Sequence, residues 1–179
     1  FRVRMTAVMA VNKLVRDNPD VAGEETLSTD TLPIIQQEIN RQLGEFGATL
    51  TQQLLPALRD NRIDLYYNQE ILPAHLGPMR EYFQTKILGF LQPFWLDQKK
   101  PKDAFLENNQ LYLVVSLSPD NEPDRLQYAV VNIPSSELPR FFELPQIRDV
   151  SYIVMLDDII RENVGWLFPG YTVNGCYSI

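Results

Sequence analysis

Cysteine is almost missing from this chain. Cys176 is the only one in 179 residues, so no intrachain disulfide can form and a reducing, cytoplasmic compartment fits best. Histidine is equally scarce. His75 stands beside Pro73, Gly77 and Pro78 without a second histidine or cysteine near it, so no metal-ligand spacing exists there. Positive charge is in deficit: the net charge of −7 argues against a dedicated nucleic-acid binder, although a local basic site could still hold a phosphate-rich ligand. Long apolar runs are absent as well. The stretch Tyr152 to Leu156 falls far short of the roughly 20 residues that span a bilayer, and Phe1-Arg-Val-Arg opens no signal-peptide core. Walker, Gly-x-Gly-x-x-Gly, Gly-x-Ser-x-Gly and His-Glu-x-x-His motifs are all missing, which leaves no local catalytic signature. The chain also starts without methionine in what reads as mid-helix, which suggests a fragment or excised domain.

What is present is an ordinary globular composition, 45% hydrophobic and 22% charged. Phe1 to Arg16 reads as a helix, with Arg2 and Arg4 on a solvated face, followed by a polar loop to Thr31. A second helix follows, with Asp30 or Thr31 as N-cap and Pro33 in its first turn. Its apolar stripe (Leu32, Ile35, Ile39, Leu43, Phe46, Leu50, Leu54, Leu58) draws a rod of about 40 Å that Pro56 should kink or loosen. After the extended connector Ile63 to Tyr67, a third helix is expected from Ala74 to Leu91, its buried side carrying Leu76, Met79, Tyr82, Phe83, Ile87, Phe90 and Leu91. Three such stripes pack most simply as an antiparallel three-helix bundle over residues 1–92.

From residue 93 the composition turns toward strands. Leu111 to Leu117 and Leu126 to Ile133 read as a hairpin around Ser118 to Arg125. Ile133 to Pro145 reads as a proline-punctuated surface segment and Tyr152 to Leu156 as a buried strand. A helix beginning at Asp157 and Asp158 is stopped by Pro169-Gly170, and Tyr171 to Ile179 reads as a last strand. The expected architecture is α+β: the bundle, then a mixed α/β domain over 93–179 that is incomplete at its end.

Candidate functional residues have plain structural readings. Adjacent aspartates on a helix point about 100° apart, so Asp157 and Asp158 read as capping groups and not as a shared metal or proton site. Cys176 reads as a small buried residue without a histidine to activate it. His75 reads as a surface or capping residue. Lys99, Lys100 and Lys102 form a basic turn that usually serves solubility and is the one candidate for phosphate contact. Arg140, held between Pro139 and Phe141, could pair with Glu137, Glu143 or another subunit.

The segments Ile133-Pro-Ser-Ser-Glu-Leu-Pro-Arg-Phe-Phe-Glu-Leu-Pro145 and Leu156-Asp-Asp-Ile-Ile-Arg-Glu-Asn-Val-Gly-Trp-Leu-Phe-Pro-Gly170 resemble the middle, or head, domain of bacterial polyphosphate kinase. Its Pro-Arg-Phe-x-x-Leu-Pro signature and the Leu-acidic-acidic-Ile-Ile-x-x-Asn helix ending in Phe-Pro-Gly occur here in the same order and spacing. The opening Phe1-Arg-Val-Arg resembles a segment of the family's N-terminal helical domain. The resemblance implies a cytosolic or membrane-associated parent enzyme, an oligomer. It moves the terminal phosphate of ATP reversibly onto inorganic polyphosphate through a phosphohistidine, with magnesium. It also implies that the nucleophilic histidine, the magnesium-associated arginines and the adenine-contacting asparagine lie outside these residues. No catalytic, cofactor-binding or metal residue is therefore assigned, and the chain alone is expected to bind neither ATP nor Mg2+ tightly. Its expected role is nucleotide-site cover and subunit contact, with the region of Arg140 a candidate contact. The competing expectation is a non-catalytic protein-interaction module of the same fold.

Overall fold

The computed structural model describes residues 31–96, 106–108 and 110–179. The expected first helix with Arg2 and Arg4, the loop after it, and Lys99, Lys100 and Lys102 lie outside the described residues. The chain divides into two compact units between Ala57 and Leu58.

In the first unit, α1 (Thr31–Ala48) is followed by a π-helical segment, Thr49–Leu54, and by α2 (Leu55–Asp60), which crosses the division. The widened turn has two local causes. Pro56 has no N–H to give the carbonyl four residues back and its ring crowds that carbonyl, while Thr51 Oγ1 donates 2.8 Å back to the Gly47 carbonyl. The Leu55 N–H consequently reaches Leu50, five residues back. On the exposed face Arg41 bridges Glu38 and Glu45 across about two turns, and its hydrogen bonds hold the Glu38 carboxyl down to about 2. The stripe drawn from periodicity is only partly covered: Leu43 is 63% and Phe46 70% exposed.

The second unit is mixed α/β, with two sheets. One has the order β1-β6-β5 from β1 (Ile63–Leu65), β5 (Phe141–Ile147) and β6 (Val150–Met155). Its β1–β6 pair is parallel and its β5–β6 pair is an antiparallel hairpin. The other is antiparallel, ordered β2-β4-β3-β7 from β2 (Phe94–Trp95), β3 (Leu111–Pro119), β4 (Gln127–Ile133) and β7 (Tyr171–Ser178). Between them run α3 (Pro73–Tyr82), which continues as a π-helical turn (Phe83–Ile87) and a 3-10 turn (Leu88–Phe90), and α4 (Leu156–Asn163), which ends in a 3-10 turn (Val164–Leu167).

Alternation and helical spacing meet in one core. Leu113, Val115 and Leu117 of β3 and Ala129, Val131 and Ile133 of β4 present one face, against which Met79, Phe83 and Ile87 and the α4 pair Ile159 and Ile160 are buried. Each of these side chains other than Ala129 contributes about 1.5–3 kcal/mol on burial. The Asn163 amide stays satisfied in this core by donating 2.9 Å to the Ile159 carbonyl.

Two expectations change. Within the second unit the third helix packs on β5 and α4, because a helical stripe records what it hides and not whether a helix or a sheet hides it, and the first helix of the expected bundle lies outside the described residues. Its Phe90, expected on the buried side, is 44% exposed because the 3-10 turn rotates it off the stripe. The proline-punctuated segment is not all surface loop. Its second half is strand β5, whose pairing to β6 is a contact that local propensity does not reveal.

Candidate functional site

His75 is fully buried, which overturns its reading as a surface or capping residue. The spacing contained the signal: His75, Met79, Phe83 and Ile87 recur every four residues, and all four are fully buried. Its Nε2 lies 2.9 Å from the Pro145 carbonyl oxygen, which can only accept, so Nε2 carries the proton and donates. In the neutral ring Nδ1 is then the acceptor for the Tyr66 hydroxyl at 2.7 Å. That hydroxyl in turn accepts the Leu72 N–H at 3.2 Å. Tyr152 packs 4.7 Å from the imidazole centroid and 5.7 Å from that of Tyr66. Burial pushes the Tyr66 phenol above its ordinary value. The relay joins the loop after β1, the start of α3 and the Pro145 end of β5. It holds three elements together and leaves neither imidazole nitrogen free for chemistry.

Beside this relay a groove of about 630 Å³ runs between the helix and the outer strand β5. Tyr82 stacks on Phe142 at 4.0 Å and forms its apolar floor, while Glu81, Lys86 and Glu143 stand at its rim. β5 is the end strand of its sheet.

At the start of α4 the acidic pair behaves differently from the capping reading. The N-cap position is Met155, no side chain caps the helix, and Asp157 and Asp158 both lie in the first turn. They complement the helix dipole, and both pair with Arg161, Asp157 at 3.7 Å and Asp158 in close contact. Burial, reinforced by Asp157, pushes the Asp158 carboxyl above its ordinary value despite Arg161. Asp157 Oδ1 is buried without a hydrogen-bond partner. Arg161 also donates 2.8 Å to Ser178 Oγ on β7, next to Cys176. Cys176 is half-buried, and its thiol is pushed up by that burial against the pull of Arg161.

Among the described residues no group of histidine, cysteine or carboxylate side chains could hold a metal ion. Asp157 and Asp158 are both engaged by Arg161. Arg140 projects from an exposed position. Its carbonyl accepts the Leu156 N–H at 2.8 Å, but its guanidinium pairs with neither Glu137 nor Glu143. No described helix is long and apolar enough to cross a membrane. Among the described residues the geometry is that of helices packed on two sheets, with an open groove between α3 and β5.

Comparison with known proteins agrees with this geometry. Residues 75–179 match the family model described as polyphosphate kinase middle domain. The polyphosphate kinase of Lactiplantibacillus plantarum is 25% identical over 181 residues, covering 100% of this chain and 24% of the relative. That of Escherichia coli strain K12 is 26% identical over 151 residues, covering 83% of this chain and 21% of the relative. The crystal structure of polyphosphate kinase from Porphyromonas gingivalis superposes with a TM-score of 0.76 at 32% identity, over 83% of this chain and 23% of that one. The chain thus spans about a quarter of the length of the relatives it matches. With the family's middle-domain model matching more than half of its residues, the chain belongs to the polyphosphate kinase family.

Proposed function

We propose that these residues are a structural part of a polyphosphate kinase. The whole enzyme transfers the terminal phosphate of ATP reversibly to inorganic polyphosphate through a phosphohistidine, with magnesium. The observation that carries the reading is the state of His75. It is the only histidine in the sequence, it is buried, and both ring nitrogens are engaged, so a phosphohistidine would have to form elsewhere in the enzyme. The segment supplies cover for the nucleotide site and subunit contacts in a homo-oligomer, with the exposed Arg140 as one contact.

The test uses the full-length enzyme. His75→Gln keeps an amide donor for the Pro145 carbonyl and should leave acid-labile labelling by radioactive ATP intact, while the 179-residue chain alone should take up no label. Loss of labelling in a folded His75→Gln enzyme, or labelling of the short chain, would overturn the proposal. Arg140→Ala should weaken association of the full-length enzyme about tenfold. Unchanged sedimentation with an intact fold would remove Arg140 from the interface. A non-catalytic interaction module is the second reading, favoured by the open groove beside β5.

A further inference from the structure

One peptide step in the chain carries its own reactivity. Asparagine is a thermolabile residue, and Asn174 is the only asparagine here that is followed by glycine. Between β3 and β7 the register runs Leu117↔Val173 and then Ser116↔Gly175, so Asn174 is an extra residue with no partner on β3. A bulge of this kind disrupts the ladder and frees its extra residue from regular strand geometry. That geometry would otherwise hold an asparagine side chain away from the next backbone nitrogen. Packing favours the glycine. A Cβ at residue 175 would lie 2.7 Å from the Tyr177 hydroxyl oxygen and 2.9 Å from a ring carbon, so a larger residue would have to push that ring aside. Without a side chain, the Gly175 nitrogen is also the least hindered nucleophile a backbone offers. Asn174 itself is exposed to solvent, and its Nδ2 donates 2.8 Å to Oγ of the buried Ser118.

We propose that Asn174 is a site of spontaneous deamidation, and that its isoaspartyl product detaches the end of β7 from β3. The Gly175 nitrogen gives its proton to water and bonds to Asn174 Cγ. The Cγ–Nδ2 bond breaks, and the nitrogen takes a proton from water and leaves as ammonia. Water then opens the succinimide at either carbonyl, giving aspartate or isoaspartate. Attacker and leaving group belong to neighbouring residues, so the step needs water alone and is independent of the reaction the parent enzyme performs. Both products lose the donor that Ser118 accepts. Isoaspartate also adds a carbon to the main chain where the register already shifts. The pairs beyond it, Val115↔Cys176, Val114↔Tyr177 and Leu113↔Ser178, and the bond from Arg161 to Ser178 all depend on that register.

The experiment ages the full-length enzyme at neutral and at mildly alkaline pH and follows it by peptide mass mapping, isoaspartyl methyl transfer and hydrogen exchange. The peptide bearing residue 174 should show the mass shift of an amide turned acid, take up heavy oxygen from labelled water, and appear mainly as isoaspartate. Conversion should be faster at the higher pH, because the attacking nitrogen must lose its proton. The other asparagines of the 179-residue segment should stay intact over the same period, and exchange of the Cys176, Tyr177 and Ser178 amides should rise in step with conversion. Asn174→Gln, which would have to close a larger ring, should abolish both changes. Asn174→Asp, measured fresh, adds the charge without the extra carbon and should exchange like the fresh parent. A folded enzyme that keeps Asn174 intact while its urea-unfolded form converts would overturn the inference, because the bulge would then protect the step. So would conversion without a rise in exchange, or a rise on ageing that persists in Asn174→Gln.

Discussion

A single histidine decides how the second unit is held together at the level of side chains. Buried polar atoms cost free energy unless paired, and here the Leu72 N–H, the Tyr66 hydroxyl, the His75 ring and the Pro145 carbonyl satisfy one another in series. Tyr66→Phe removes the middle of that series and leaves His75 Nδ1 and the Leu72 N–H without partners while hardly changing volume. The expected cost is about 1–3 kcal/mol, read as a lower urea midpoint at unchanged slope. A midpoint that does not move would mean that water replaces the hydroxyl and that the relay is not what secures the loop to β5. Sequence alone misplaced His75 because a lone histidine next to prolines and glycine reads as loop chemistry. The four-residue spacing to Met79, Phe83 and Ile87 was the better guide, and it called for counting the histidine as part of the stripe.

Among whole elements, legibility follows how local the determining forces are. β3, β4, β6 and β7 are visible as alternating or apolar runs, and α4 follows from its paired isoleucines and the Pro169-Gly170 stop. β5 is not, because prolines on either side mask it and its partner β6 is needed to define it. The turn between them adds a further disguise. Arg148 and Asp149 both take positive φ, 51° and 61°, where Asn-Gly would have announced a tight hairpin. For α4 the first turn yields a pH prediction. The folded chain holds the Asp158 proton more tightly than an unfolded chain would, so the stability tied to this group is present at low pH. It is lost as pH rises past the ordinary aspartate range and through the raised folded value. Asp158→Asn keeps an acceptor for Arg161 and abolishes that titration. Relative to the parent, the variant should therefore gain stability between about pH 3 and pH 6, measured by urea unfolding at both ends. A variant that instead falls behind as pH rises would show that the ion pair with Arg161 outweighs burial.

At the scale of the molecule, the division at residue 57 and the distribution of the core make the same statement. Among the described residues the principal apolar cluster, from Tyr66 to Phe168, lies in the second unit, and so does the family match. Composition suggested a boundary near residue 92, where strands begin. The contacts of α3 with β5 and α4 lie within the second unit, and only tertiary packing carries that information. The physical expectation is that residues 58–179 fold around this cluster. That piece should fold cooperatively without the first 57 residues and keep the near-ultraviolet signal of its buried aromatics. Its urea slope should reflect the loss of the first unit's surface, since slope scales with area exposed on unfolding. The reverse truncation, residues 1–57, contributes no described residue to the principal cluster and should show at most helical signal that fades gradually on heating, as short helices do without a packed face. A 58–179 piece that loses its cooperative transition would show that the core depends on residues before Leu58, and the boundary drawn from its contacts would then misstate the folding unit.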